Sequence, residues 1–308
     1  AIPDMGCHGF HAGQFQKAHR TGGLAMNWNT IVSAEELLKH LHDPDLIIVD
    51  ARFALGDAQA GKQSWQTAHL PNASYVHLDR DLSDKQKPAQ FGRHPLPHAD
   101  DFCHTLMRCG VSRQSQVVVY DANDGAMAAS RFWYLLRLLG HEKVAVLDGG
   151  FARWLELDLP VNNDLPTHLP SLYHADFDRS KMVTADIVEN NLASHEFLLL
   201  DARAPERYRG EIEPIDKVAG HIPGALNRPY GLNIENGRFR SPDLLKQDFL
   251  GLLGEHPASE TILYCGSGVT ACHNLLAMEI AGFSGAKIFS PSWSGWISDI
   301  DHPVATGK

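Results

Sequence analysis

Short apolar runs, most of them closed by a polar residue, recur along the chain. They are Leu46–Asp50, Val117–Tyr120 and Val144–Leu147, and then Phe197–Asp201, Thr261–Tyr264 and Ala286–Phe289. Runs of this length without polar alternation predict strands buried on both faces of a parallel sheet. Helical patterns lie between them. Ser33-Ala34-Glu35-Glu36 reads as a capping box, with Leu37, Leu38 and Leu41 following at helical spacing. Thr184-Ala185-Asp186 opens a matching helix, and Ala128–Leu139 and Ala271–Ala281 are apolar helices that directly follow a strand and a small-residue loop. The alternation predicts an α/β fold with a mainly parallel sheet and helices on both faces.

The pattern also repeats. Val49-Asp50-Ala51-Arg52 is echoed by Leu200-Asp201-Ala202-Arg203, and His69-Leu70-Pro71-Asn72-Ala73 by His221-Ile222-Pro223-Gly224-Ala225. Val117–Tyr120 is echoed by Thr261–Tyr264, and Leu139-Gly140 with Trp154 by Ala281-Gly282 with Trp296. Anchors recurring in one order with slowly drifting offsets imply two copies of one domain. The expected boundaries are 26–157 and 181–308. Between them, 158–180 is a connector whose Pro160, Pro166, Pro170 and Asn162-Asn163-Asp164 favour extended or turn-rich chain. Residues 1–25 are rich in Gly and His, show no apolar period and lack the core of a secretion signal. They are expected to be an extension ahead of a natural start at Met26.

Composition narrows the function. With 308 residues, 44% hydrophobic, a packed core is expected. A net charge of -10 argues against nucleic acid or an anionic membrane as partner, while leaving room for a local pocket for a small anion. No apolar stretch is long enough for a transmembrane helix. Five cysteines (Cys7, Cys103, Cys109, Cys265 and Cys272) are too few, and odd in number, for a disulfide scaffold, so a reducing compartment, the cytoplasm, is expected. The 18 histidines show no metal-ligand spacing, and neither metal nor cofactor is expected.

One loop carries candidate chemistry. Cys265-Gly266-Ser267-Gly268-Val269-Thr270 joins the end of an apolar strand to an apolar helix, where open α/β sheets bind ligands. Its glycines allow a tight turn with several N–H groups facing inward, a nest that favours an anion. The same field favours the thiolate of Cys265, the reactive form of the side chain. No Gly-Lys-Ser or Gly-Lys-Thr follows, which excludes a nucleotide phosphate loop. A cysteine phosphatase needs a cation for the transferring group and places Arg six residues after its nucleophile; Ala271 stands there.

The two halves, the paired His-Leu-Pro-Asn-Ala and His-Ile-Pro-Gly-Ala motifs, the loop Cys265–Cys272, Asp148-Gly149-Gly150-Phe151-Ala152-Arg153-Trp154 and Trp293-Ser294-Gly295-Trp296 together resemble the tandem rhodanese-like sulfurtransferases, over about Trp28 to Pro303. The resemblance implies two rhodanese-like domains, only the second catalytic, since Asp121 stands where the repeat places Cys265. The neutral loop is similar to the branch that uses 3-mercaptopyruvate, whereas thiosulfate-preferring members carry basic residues there. Sulfur would pass from 3-mercaptopyruvate, or alternatively thiosulfate, to a thiol, cyanide or thioredoxin through a persulfide on Cys265. A persulfide carrier for a partner protein is a further alternative.

The resemblance also assigns residues. Ser267, Asp79 and His94 match the catalytic group, with His77 where the family often has a second Asp. Arg207 matches the substrate-gripping arginine, and Lys217 stands where a second arginine is usual. Gly266, Gly268, Val269 and Thr270 complete the substrate loop. Arg203 is expected in structural ion pairs, and Cys272, Trp293 and Trp296 in the core.

Overall fold

The computed structural model describes residues 26–308. Cys7 and the expectation for residues 1–25 lie outside the described residues.

Two sheets form, one from each repeat. In the first, β1 (Ile31–Val32), β2 (Leu46–Asp50), β3 (Ser74–Tyr75), β4 (Gln116–Tyr120) and β5 (Val144–Leu147) lie in the order β1-β5-β4-β2-β3. In the second, β6 (Leu198–Asp201), β7 (Leu226–Asn227), β10 (Thr261–Tyr264) and β11 (Lys287–Ile288) lie in the order β11-β10-β6-β7. Every pairing in both sheets is parallel. β8 (Ile234–Glu235) and β9 (Arg238–Phe239) form a separate antiparallel hairpin. The expected α/β class with two repeated halves is the observed one. Element ends move by a residue or so: the two apolar helices run Ala129–Leu138 and Thr270–Ile280.

The capping box forms only in part. Ser33 Oγ accepts from the Glu36 N–H at 3.1 Å, but the Glu36 carboxylate pairs with Lys39 and the helix ends at Leu38. The Lys39 ammonium offers a stronger partner than the backbone amide of Ser33.

Strand parity explains the core. Val118 and Tyr120 face an outer cluster with Leu70, Leu147 and Trp154, while Val117 and Val119 face inward. In β10, Ile262 and Tyr264 join Phe289, Trp293 and Trp296 in the corresponding outer cluster, and Leu263 faces inward. The two inward faces share a single core, with helix Ala129–Leu138 packed on helix Thr270–Ile280. Because side chains alternate along a strand, the residue that follows Tyr264 is aimed at this junction between the domains.

The repeated sequence anchors turn out to be repeated joints. Arg52 grips Asp50 and the Ala68 carbonyl; Arg203 grips Asp201 and the Gly220 carbonyl. Tyr120 Oη accepts from the Leu70 N–H, as Tyr264 Oη does from Ile222. Trp154 Nε1 donates to the Pro160 carbonyl and Trp296 Nε1 to that of Pro303. Arg203, Trp293 and Trp296 are thus structural, as expected. The connector has little regular structure but lies against the first domain. Asn162 bridges to His69, and buried Tyr173 meets His141 at 3.0 Å. Among the described residues no helix is long and apolar enough to cross a membrane.

Candidate active site

Cys265 follows β10 with the parity of Leu263, so it points into the junction. The chain then bends through Gly266–Val269 into the helix. Gly268 has φ +76°, and a Cβ there would lie 2.3 Å from the Ser290 carbonyl oxygen, so both backbone and space require glycine. Its N–H donates to Cys265 Sγ at 3.1 Å. The loop is held from behind. The Cys265 N–H donates to Ser292 Oγ at 3.1 Å, and the Cys265 and Gly266 carbonyls accept from the N–H groups of Trp293 and Ser294, both at 2.9 Å.

Cys265 is only 1% exposed, and it lines a cavity of about 250 Å³. Reagents reach the sulfur through that cavity rather than across open surface. Gly266, Ser267, Val269 and Thr270 line it too, whereas Gly268 lies behind and contributes its N–H. The first domain supplies Arg93, His94 and Met127, and the second Arg207, Ile215 and Tyr230.

The domain junction assembles Ser267, His94 and Asp79. Ser267 Oγ is 2.8 Å from His94 Nδ1, and His94 Nε2 is 3.2 Å from Asp79 Oδ1. The latter is an electrostatic contact rather than a directed hydrogen bond, and Lys85 Nζ lies 3.5 Å from the same oxygen. With the imidazole proton on Nε2, toward the carboxylate, Nδ1 accepts from the Ser267 hydroxyl. Burial pushes the His94 pKa down to about 3; Lys85 adds to the effect, and Asp79 only partly opposes it. His94 is therefore a neutral base at physiological pH. His77 is a neighbour of this group rather than a member. Its Nδ1 accepts from the Asp79 N–H at 3.1 Å and its Nε2 donates to the Ala58 carbonyl at 2.8 Å, which anchors the turn carrying Asp79.

Arg207 lines the cavity and is braced by Glu213 at 2.8 Å and Asp216 at 3.1 Å. Lys217 is not brought to the site: it is exposed and outside the cavity lining, while half-exposed Ile215 contributes to that lining and Asp216 turns its carboxylate to Arg207. Besides Arg203, which is held by Asp201 and Glu213, the cation that accompanies Arg207 is Arg93 from the other domain, which the sequence reading passed over although it adjoins His94.

Arg131 was also missed. Fully buried within an apolar helix of the first domain, it donates to the Gly268 carbonyl at 2.9 Å and to the His94 carbonyl at 3.0 Å. It ties the cysteine loop to the segment carrying His94. A charge out of register with its apolar surroundings was the available signal.

The corresponding loop of the first domain holds its own anion. The Asp121 carboxylate accepts from the N–H groups of Asn123, Gly125, Met127 and Ala128 at 3.0–3.3 Å. Burial pushes its pKa up, with Asp124 adding to the effect and the amides opposing it. Elsewhere, burial raises the Cys103 thiol, lifts Cys109 to about 11 and Cys272 to about 12. Cys272 packs in the helix with its thiol toward the Gly268 carbonyl at 3.3 Å.

Two parallel-sheet α/β domains, one with a cysteine and the other with an aspartate at the start of the corresponding strand-to-helix loop, define a tandem protein whose thiol site lies where the halves meet. The family model described as "Rhodanese-like domain" matches residues 33–157 and again 184–299, and the chain belongs to that family. A Pseudomonas aeruginosa protein named "Probable 3-mercaptopyruvate sulfurtransferase" is 43% identical over 279 residues, covering 90% of this chain and 98% of the relative. The thiosulfate sulfurtransferase of Rattus norvegicus is 32% identical over 268 residues, covering 85% of this chain and 89% of the relative. Among solved structures, the 3-mercaptopyruvate sulfurtransferase SseA of Escherichia coli superposes with a TM-score of 0.74 at 30% identity, covering 86% of this chain and 99% of that one.

Proposed function

We propose that the protein is a sulfurtransferase that takes sulfane sulfur from 3-mercaptopyruvate onto Cys265 and passes it to a thiol, cyanide or thioredoxin. The Cys265 thiolate attacks the substrate sulfur. A sulfur–sulfur bond forms, the carbon–sulfur bond breaks, and its electron pair leaves on the pyruvate carbon as an enolate. The proton released by the substrate thiol is relayed to that carbon through Ser267 and His94, with Asp79 steadying the imidazole. The products are pyruvate and the Cys265 persulfide, whose outer sulfur faces the loop amides. A thiolate or cyanide then attacks the outer sulfur and regenerates Cys265, completing a double displacement. A persulfide and its thiol acceptors suit a reducing compartment, the cytoplasm.

The contact between Ser267 and neutral His94 carries the choice of donor. An enolate must gain a proton to leave as pyruvate, whereas sulfite leaves thiosulfate without needing one. The test is intact mass after incubation with each donor, followed by peptide mapping. The reading expects one added sulfur on Cys265, faster from 3-mercaptopyruvate, and none in Cys265→Ser. A large kcat/KM preference for thiosulfate would reject this donor assignment.

A further inference from the structure

We propose that Arg93, from the non-catalytic domain, is the second arm of an anion clamp that acts with Arg207 on the carboxylate end of the sulfur donor. The proposal rests on the sulfurtransferase reading for the identity of the anion, but the clamp itself is argued from geometry.

The segment that would be expected to supply a second cation in the catalytic domain does not. Across Glu213–Lys217 it turns two carboxylates to Arg207, sets half-exposed Ile215 in the cavity lining and leaves Lys217 exposed. Arg93 reaches in from the other domain instead. Its Nη2 lies 3.2 Å from the point where a Gly266 Cβ would sit, and Arg207 Nη2 and Nη1 lie 3.5 and 3.6 Å from the same point. Both guanidiniums thus lie against the residue that follows the nucleophile, in space that any side chain at position 266 would contest.

The donors are only partly used. An arginine has five N–H groups. Arg93 Nη1 donates to Asp216, and its buried Nε has no partner. Arg207 donates through Nε and Nη2 to Glu213 and through Nη2 to Asp216. Among the described residues, Arg93 Nη2 and Arg207 Nη1 have no acceptor, and these are nitrogens that face Gly266. Asp216 bridges the two guanidiniums with one oxygen each, which holds both forks across the domain boundary. A carboxylate entering beside Cys265 can therefore accept from both arms at once, the paired geometry in which arginine excels. The backbone of Arg93 is fixed independently, its N–H donating to Ser294 Oγ at 2.9 Å.

The experiment compares alkylation of Cys265 by iodoacetate, an anion, with alkylation by neutral iodoacetamide, using mass spectrometry of the full chain. This reads the clamp without requiring sulfur transfer. Arg93→Gln should lower the iodoacetate-to-iodoacetamide rate ratio on the order of ten-fold, as Arg207→Gln should. It should raise KM for 3-mercaptopyruvate by a similar factor, with a smaller change in kcat. Arg93→Lys keeps the charge without the fork and should fall between. If the Arg93→Gln ratio and KM stay at wild-type values while Arg207→Gln lowers the one and raises the other, the proposal is overturned. If Arg93→Gln does not fold, Arg93→Lys decides, and a wild-type ratio in that variant rejects paired recognition. Persulfide formation by the wild-type chain is measured separately. Its absence would overturn the sulfurtransferase reading while leaving the alkylation ratio to judge the clamp.

Discussion

Ser267 Oγ and His94 Nδ1 lie 2.8 Å apart although 173 positions separate them in the chain, one in each domain. The proton relay therefore exists only while the domains are docked. Ser267→Ala and His94→Gln should each lower kcat with 3-mercaptopyruvate by about 10²-fold or more. The double variant should be little worse than either single one, because both remove the same path. Additive losses in steady-state kinetics would show that the two act independently.

Arg131 holds that docking. Arg131→Met orphans the His94 carbonyl, at a cost of about 1–3 kcal/mol, and leaves the Gly268 carbonyl only the weak Cys272 thiol donor. The denaturation midpoint should fall accordingly, and activity should fall with it even where the variant is fully folded. An unchanged midpoint would mean that water replaces the guanidinium without loss.

Asp121 fills the amide nest that the first domain inherited with its loop. Asp121→Ala should destabilise the chain, since the loop amides lose their acceptor. Added sulfate should recover more of the melting temperature in the variant than in the wild type, because the variant adds a vacant nest in the first domain to the Cys265 loop that both share. Equal sulfate responses by differential scanning fluorimetry would refute the idea.

Two buried histidines make the fold acid-sensitive. Burial lowers His273 to about 4 and His94 to about 3, below the ordinary value of 6.5. The unfolded chain then binds more protons than the folded one between about 6.5 and those values, so stability is lost as pH falls through that window. His273 Nε2 donates to the Asp124 carbonyl at 3.0 Å, and Asn233 Nδ2 lies 3.0 Å from Nδ1. His273→Gln should therefore flatten the drop in urea midpoint between pH 7 and pH 5. An identical drop in both proteins would rule His273 out as a source.

The legible parts of the site were those carried by local pattern. The cysteine loop could be read because strand, glycines and helix follow one another within a few residues. Ser267 lies inside that loop, and Asp79 and His94 came from motif resemblance, which the structure shows brought together with it. Lys217 was chosen for its place in the sequence, but it stays exposed outside the cavity lining while Asp216 beside it pairs with Arg207. Arg93 and Arg131 gave only weak local signals because their partners lie in the other domain.

The chain by itself determined two α/β repeats, the buried parallel strands, and the loop that presents a cysteine in one copy and an aspartate in the other. These follow from short-range rules, namely apolar runs, turn residues and alternation along a strand. Only the tertiary structure decided which face of one domain meets which face of the other, and hence that Arg93, His94 and Arg131 converge on Cys265. Those contacts join segments more than a hundred positions apart, and the packing of one inward face on another, not any local preference, selects them.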